Sequence, residues 1–214
     1  MVNKHQKFWN KKHFEEVELS KINRPSTFVA ESLKYFPKEA LILELGTGTG
    51  QDTHFLIEHG FQVVATDFSK PALTFTFKAA KPEYKNKLAI KQFDLSDHFP
   101  FADESFDIVY AHLVIHYFNK RTTQQIFDEI FRVLKQKGII AILVNSSNDS
   151  DFGIGRKLEE DYFEVLPGRP KRFFSVDSIR EFIGRFHIII LDNKGSDLRR
   201  DHKDNLIRFI GKKN

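Results

Sequence analysis

The sequence predicts an α/β protein built on one seven-stranded, mostly parallel sheet, with helices on both faces and the last strand antiparallel. Three observations carry that prediction. Short, continuously apolar runs alternate with amphipathic segments, the pattern of strands buried on both faces and joined by helices. The first apolar run ends in a glycine-rich turn that opens directly into a helical pattern. The last two runs are separated by a loop of about ten residues, which suits an antiparallel pair better than a right-handed crossover.

Ala40–Gly46 (ALILELG) is the first buried strand, and Gln51–Gly60 reads as a helix closed by Gly60. Gln62–Asp67 is the second strand. Ser69–Lys81 fits helix or strand by pattern, because Thr74–Phe77 alternates; Pro71 just inside its start favours helix. Leu88–Asp94 and Phe106–Leu113 are the third and fourth strands. Thr122–Lys137 places Ile126, Phe127, Ile130, Val133 and Leu134 on one helical stripe, capped by Thr122 or Thr123 and stopped by Gly138. Gly138–Asn145 is the fifth strand, Val176–Gly184 a short helix, and His187–Asn193 and Asn205–Lys213 the final pair. The expected organisation is a single domain over 1–214: an N-terminal cover (1–36), a ligand-binding core (40–145), a cover insert (146–175) and a C-terminal helix and strand pair (176–214). In open sheets of this kind ligands sit outside the carboxyl ends of the strands, where both cover segments would close over them.

Composition narrows the function. With 41% hydrophobic and 29% charged residues, the 214-residue chain is neither disordered nor fibrous. It has no cysteine, which excludes disulfides, cysteine-ligated metals and a cysteine nucleophile. No apolar run reaches the ~18 residues of a membrane span, and Met1–Glu16 lacks the apolar stretch of a signal peptide, so cytoplasmic residence and no membrane partner are expected. The net charge of +4 is mild and interleaved, so nucleic acid is not an expected partner.

Glu44-Leu45-Gly46-Thr47-Gly48-Thr49-Gly50 joins strand to helix, the context a glycine-rich cofactor loop requires. A phosphate-binding P-loop needs Lys-Ser or Lys-Thr after its last glycine, where Gln51-Asp52 stand. The dinucleotide pattern G-x-G-x-x-G/A fails at Gln51. The spacing acid-x-G-x-G-x-G is met at Glu44, Gly46, Gly48 and Gly50. An acid, Asp67, ends the second strand about 20 residues on, suited to ribose hydroxyls. Asp94-Leu95 follows the third strand, Phe99–Asp107 (FPFADESFD) leads into the fourth, and Val133–Gly138 (VLKQKG) leads into the fifth.

In these residues the chain resembles the class I S-adenosylmethionine-dependent methyltransferases, with their Rossmann-like fold. The resemblance covers roughly 40–145 closely. It implies S-adenosyl-L-methionine as cofactor, S-adenosyl-L-homocysteine as product, and no metal. It also implies roles: Glu44 orients the methionine amino group, and Gly46, Thr47, Gly48 and Gly50 bring the backbone to the cofactor. Asp67 holds the ribose, Phe68 packs on adenine, Asp94 and Leu95 close on its edge, and Ala111 and His112 lie near the methionyl end.

Candidate bases are His112, His116 and Tyr117, since imidazole suits proton removal near neutral pH. The competing role for His116 and Tyr117 is packing beneath the cofactor. His112 and His116 have i, i+4 spacing but lack the intervening glutamate of a zinc helix. Asn148–Gly153 has the outline of a calcium loop, yet Phe152 occupies a ligand position. For the acceptor, the cover segments offer Phe8, Trp9, Phe152, Arg156, Tyr162 and Arg172, with His13 and Phe14 nearby. The expectation is methyl transfer to a small-molecule nucleophile, with residues 2–26 as a mobile lid. The alternatives are an RNA or protein acceptor docked on Arg169–Arg172 and Arg199–Lys203, and cofactor binding without catalysis.

Overall fold

The computed structural model describes Trp9 and residues 24–197 and 203–214. The expected lid (2–26) and the Phe8, His13, Phe14 and Arg199 positions lie largely or wholly outside the described residues.

Strands β1 (Leu41–Leu45), β2 (Gln62–Asp67), β3 (Leu88–Gln92), β4 (Phe106–His112), β5 (Leu134–Val144), β9 (Phe186–Asp197) and β10 (Lys203–Lys213) form one sheet in the order β3-β2-β1-β4-β5-β10-β9. β10 runs antiparallel to both of its neighbours, and the other six strands share one direction. The predicted fold is the observed one.

Continuous apolar strands are needed because both faces are covered. Leu43, Leu45, Val109, Ala111, Ile140 and Ile142 point to one core, closed by helix α4 (Lys120–Val133) through Ile126, Phe127 and Ile130. Their chain neighbours Ile42, Ile108, Tyr110, Ala141 and Leu143 point to the other. There they meet α1 (Thr27–Ser32), which contributes Phe28 and Val29, and α2 (Gln51–Glu58), which contributes Leu56 and Ile57. Part of the N-terminal cover is therefore core: Val29 is fully buried and Phe28 stacks on Tyr110.

The ambiguous Ser69–Lys81 segment is helix α3 (Lys70–Ala79), capped by Ser69, with Pro71 in its first turn. Several boundaries differ from expectation. Helix α4 is capped by Asn119, whose side chain accepts from Thr122 N–H at 2.8 Å, and it ends at Val133 rather than Lys137. There Leu134 pairs with Phe106, drawing the chain into β5 four residues early. The short helix α5 is only Arg180–Ile183, because Ser175 and Ser178 each accept the other's backbone N–H at 2.9 Å and form a turn first. β9 and β10 extend beyond their apolar stretches, since ladder pairing continues through polar residues to Asp197 and Lys203.

The cover insert is itself a sheet: β6 (Arg156–Glu159), β7 (Tyr162–Leu166) and β8 (Arg169–Arg172) form an antiparallel meander. β6 is charged and wholly exposed, and β7 and β8 bury adjacent rather than alternating residues, so periodicity does not reveal them.

One polar node fixes α1 and α2 to the sheet. The buried Asp52 carboxylate accepts from Ser26 N–H (2.7 Å), Ser26 Oγ (2.8 Å) and Tyr110 OH (2.7 Å). Ser26 Oγ in turn caps α1 by accepting from Val29 N–H at 3.0 Å. Removing the carboxylate strands buried donors on two elements. Asp52→Ala is expected to cost about 3 kcal/mol or more in unfolding free energy, read from urea denaturation. A loss below about 1 kcal/mol would show that these donors find other partners.

Candidate active site

Parallel pairing places the ends of β1, β2 and β4 side by side: Leu45 is in register with Thr66 and with Ala111, and Asp67 with Gln92. The loops after these strands therefore share one edge. Glu44, the Gly46–Gly50 loop, Asp67, Phe68, Asp94, Leu95, Ala111, His112, His116 and Tyr117 all lie at or just beyond it.

The loop turns through left-handed backbone at Gly46 (φ 68°), Gly48 (56°) and Gly50 (83°). Gly46 is further constrained by packing: a Cβ there would lie 2.5 Å from Val114 Cγ2. At Gly50 it would lie 2.5 Å from Thr76 Cγ2. Two of the three glycines thus admit other parts of the protein. Thr47 N–H donates to Thr66 O (2.8 Å), Thr76 Oγ1 to Gly48 O (3.2 Å), and Thr53 Oγ1 to the buried Glu44 Oε2 (2.5 Å). Thr47 and Thr53 hydroxyls are also hydrogen-bonded to each other.

Asp67 is the electrostatic centre of this edge. It is 6% exposed, and its two oxygens accept from Gly48 N–H (3.0 Å) and Ser69 N–H (2.8 Å). Burial pushes its carboxyl up to about 6, although the backbone donors of Ser69, Gly48 and Phe68 pull it the other way. Asp94, by contrast, is half-buried and forms its own turn, accepting from Ser96 N–H (2.9 Å) and Ser96 Oγ (2.8 Å). Leu95 beside it is buried.

After β4 the chain bends sharply at Leu113 (φ 52°), sends Val114 over Gly46, and forms a one-turn 3₁₀ helix, Ile115–Tyr117. His116 is 2% exposed; burial first, then the charges of Lys171 and Lys203 and the neighbouring His112, hold it well below its usual range. The Tyr117 ring lies 4.3 Å from His116 and 5.2 Å from Trp9, edge-on to the indole.

The insert is bolted to this turn. Tyr162 OH donates to Tyr117 O (3.1 Å), and Arg172 donates to Phe118 O (3.2 Å), Glu160 O (3.2 Å) and Glu159 (2.6 Å). Two of the six candidate acceptor residues thus grip the turn by its main chain. Phe152 packs on Phe163 and Phe173, and Arg156 pairs with Glu164 on an exposed strand.

Sequence reading missed Thr53, Asp52 and Arg132. Thr53 and Asp52 follow the glycine loop directly, and their hydroxyl and carboxyl were the available signal. Arg132 carries the FPFADESFD segment: it donates to Phe99 O (3.0 Å), Phe101 O (2.8 Å), Asp103 (2.8 Å) and, bidentately, to Glu129 (2.8 and 2.9 Å). Lys171 and Lys203, expected only as parts of the two basic segments, pair with Asp151 and Asp149. Among the described residues, no three His, Asp or Glu side chains converge as a metal-ligand set, and no helix is long and apolar enough to cross a membrane.

Comparison with known proteins agrees with this geometry. Residues 43–142 match a family described as a methyltransferase domain. The chain is 32% identical over 133 residues to a demethylmenaquinone methyltransferase of Lactobacillus johnsonii, covering 60% of this chain and 52% of that one. It spans about half or less of the length of the curated relatives it matches. Among solved structures it is similar to 1,6-didemethyltoxoflavin-N1-methyltransferase of Burkholderia thailandensis, crystallised with 1,6-didemethyltoxoflavin and S-adenosylhomocysteine. There the TM-score is 0.76 at 17% identity, over 98% of this chain and 87% of that one. A SAM-dependent methyltransferase of Methanosarcina mazei gives 0.71 at 22% identity, over 84% and 95%.

The raised Asp67 carboxyl has a consequence for stability. The folded state holds this proton more tightly than the unfolded chain, so the group's contribution is greatest below pH 4. It falls as pH rises from about 4 to about 6, and is flat above. The fall is on the order of 2–3 kcal/mol. Urea titrations of wild type and Asp67→Asn should diverge across that window alone; parallel pH dependences would show that Asp67 titrates normally.

Proposed function

We propose, from the premise that the chain is a class I S-adenosylmethionine-dependent methyltransferase, that it transfers the sulfonium methyl group to a small-molecule nucleophile. The observation that carries the cofactor assignment is the donor balance at Asp67. Its oxygens accept from Gly48 and Ser69 N–H, with Phe68 N–H also favouring the carboxylate, and keep lone-pair capacity for further donors. Burial raises its carboxyl, and two ribose hydroxyls would favour the ionised form. Glu44 and Thr53 offer a carboxylate and a hydroxyl at the other side of the loop for a cationic amine. The residues present therefore fit the cofactor.

When bound, the cofactor supplies a methyl group already activated on a cationic sulfur. The protein's own work is then to align the acceptor, exclude water, and dispose of any proton the acceptor carries; alignment alone is worth ~7–11 kcal/mol. Ala111 and His112 end β4 beside the loop, and Trp9 and Tyr117, packed edge to face, are apolar groups that an acceptor could meet. A small acceptor suits such short covers. The basic segment that an RNA or protein acceptor would need is turned inward in part: Lys171 and Arg172 are buried and ion-paired.

Titration calorimetry with S-adenosylhomocysteine tests the assignment. Hydroxyl donors favour the ionised Asp67, so binding should release a proton and be about tenfold tighter at pH 7 than at pH 5. Asp67→Ala should lose at least tenfold in affinity. Tighter binding of NAD, or an Asp67→Ala protein that binds as well as wild type, would overturn it.

A further inference from the structure

The His116 side chain is the one buried histidine whose Nδ1 finds no hydrogen-bond partner among the described residues. A buried polar atom left unmatched costs about 1–3 kcal/mol, and more than nine in ten such atoms are matched.

Its position gives the group a use. The Ile115–Tyr117 turn rests on the cofactor loop through Val114 and Gly46, and it is held in place by Tyr162 and Arg172 from the insert. The groups facing His116 come from four elements. His112 belongs to β4, Lys171 with Asp151 to β8 and the preceding loop, Lys203 with Asp149 to β10 and that same loop, and Tyr117 to the turn itself. Two ammonium groups, each balanced by a carboxylate, thus border a desolvated imidazole next to the methyl-transfer edge.

We propose that His116 Nδ1 receives the proton lost by the methyl acceptor, and that the acceptor is accordingly a neutral N–H or O–H compound such as an azole, phenol or enol. This rests on the methyltransferase reading above and names its acceptor class. The acceptor lone pair forms the new bond to the methyl carbon while the carbon–sulfur bond breaks and its electron pair returns to sulfur. The sulfonium becomes a neutral thioether. The acceptor atom takes up the positive charge, and its proton passes to Nδ1 and then to solvent. A weak base suffices, because an N–H or O–H atom that has just been methylated is far more acidic than before. A base that stays unprotonated below the ordinary histidine range is ready in every cycle and sheds its proton quickly.

The test combines two readouts on the full chain loaded with S-adenosylhomocysteine or S-adenosylmethionine. Nitrogen-15 spectra should show His116 neutral down to pH 5 with Nδ1 as the bare nitrogen. An ordinary titration, or a proton on Nδ1, would overturn the proposal. Methyl transfer is then assayed against phenols and azoles of graded acidity, with a thioether and a tertiary amine as proton-free counterparts. Transfer is expected to N–H or O–H members. His116→Asn, which keeps a polar atom near the Nδ1 position, should slow their turnover by about a hundredfold or more. S-Adenosylhomocysteine affinity should stay within twofold, and the loss should shrink below threefold for acceptors already ionised at assay pH. Transfer only to the proton-free compounds, transfer to none, or a loss independent of acceptor acidity would overturn it. Failure of wild type to bind S-adenosylhomocysteine would instead strike the methyltransferase reading.

Discussion

The contact on which the site depends is the hydrogen bond from Gly48 N–H to the Asp67 carboxylate. It joins the loop after β1 to the end of β2, two neighbouring parallel strands whose loops would otherwise diverge. Thr47 N–H to Thr66 O and Thr76 Oγ1 to Gly48 O tie the same loop on either side. With Gly46 pressed against Val114 and Gly50 against Thr76, the loop's shape is fixed by protein contacts alone. That is preorganisation: the ordering cost is met in folding rather than at ligand binding.

Much of this was legible in the sequence because it follows local rules. Strands buried on both faces read as continuous apolar runs, and the acid-x-G-x-G-x-G spacing sits where a strand meets a helix. Asp67, His112 and His116 were found because strand ends place their residues on one edge. What stayed hidden depends on partners distant in sequence. The FPFADESFD segment was recognisable as a pattern, but its physical basis is Arg132, some thirty residues later, which satisfies two of its carbonyls and Asp103. The Asp52 node joins residues 26, 52 and 110 from three elements. The insert strands escaped because Arg156–Glu159 is wholly exposed and lacks the alternation of a half-buried strand.

The insert also shows how a segment peripheral to the fold governs the site. The main sheet closes without it; its order is complete in β3-β2-β1-β4-β5-β10-β9. Yet its Tyr162 and Arg172 hold the carbonyls of Tyr117 and Phe118, so the turn that carries His116 is fixed from outside the core. Changes in the insert can therefore retune the acceptor site without disturbing the cofactor loop. Such a division suits a fold in which one donor serves many acceptors.

Burial acts on the two titratable groups at opposite ends of the site in opposite directions. It raises Asp67 and lowers His116, which stands near cations. Both shifts disfavour the charged form. Under the proposed function, ribose hydroxyls would favour the ionised Asp67. In the proposed methyl transfer, positive charge would pass from sulfur toward the acceptor and finally to solvent. For an acceptor that carries a proton, the proposed exit is His116 Nδ1, a buried nitrogen with no hydrogen-bond partner among the described residues.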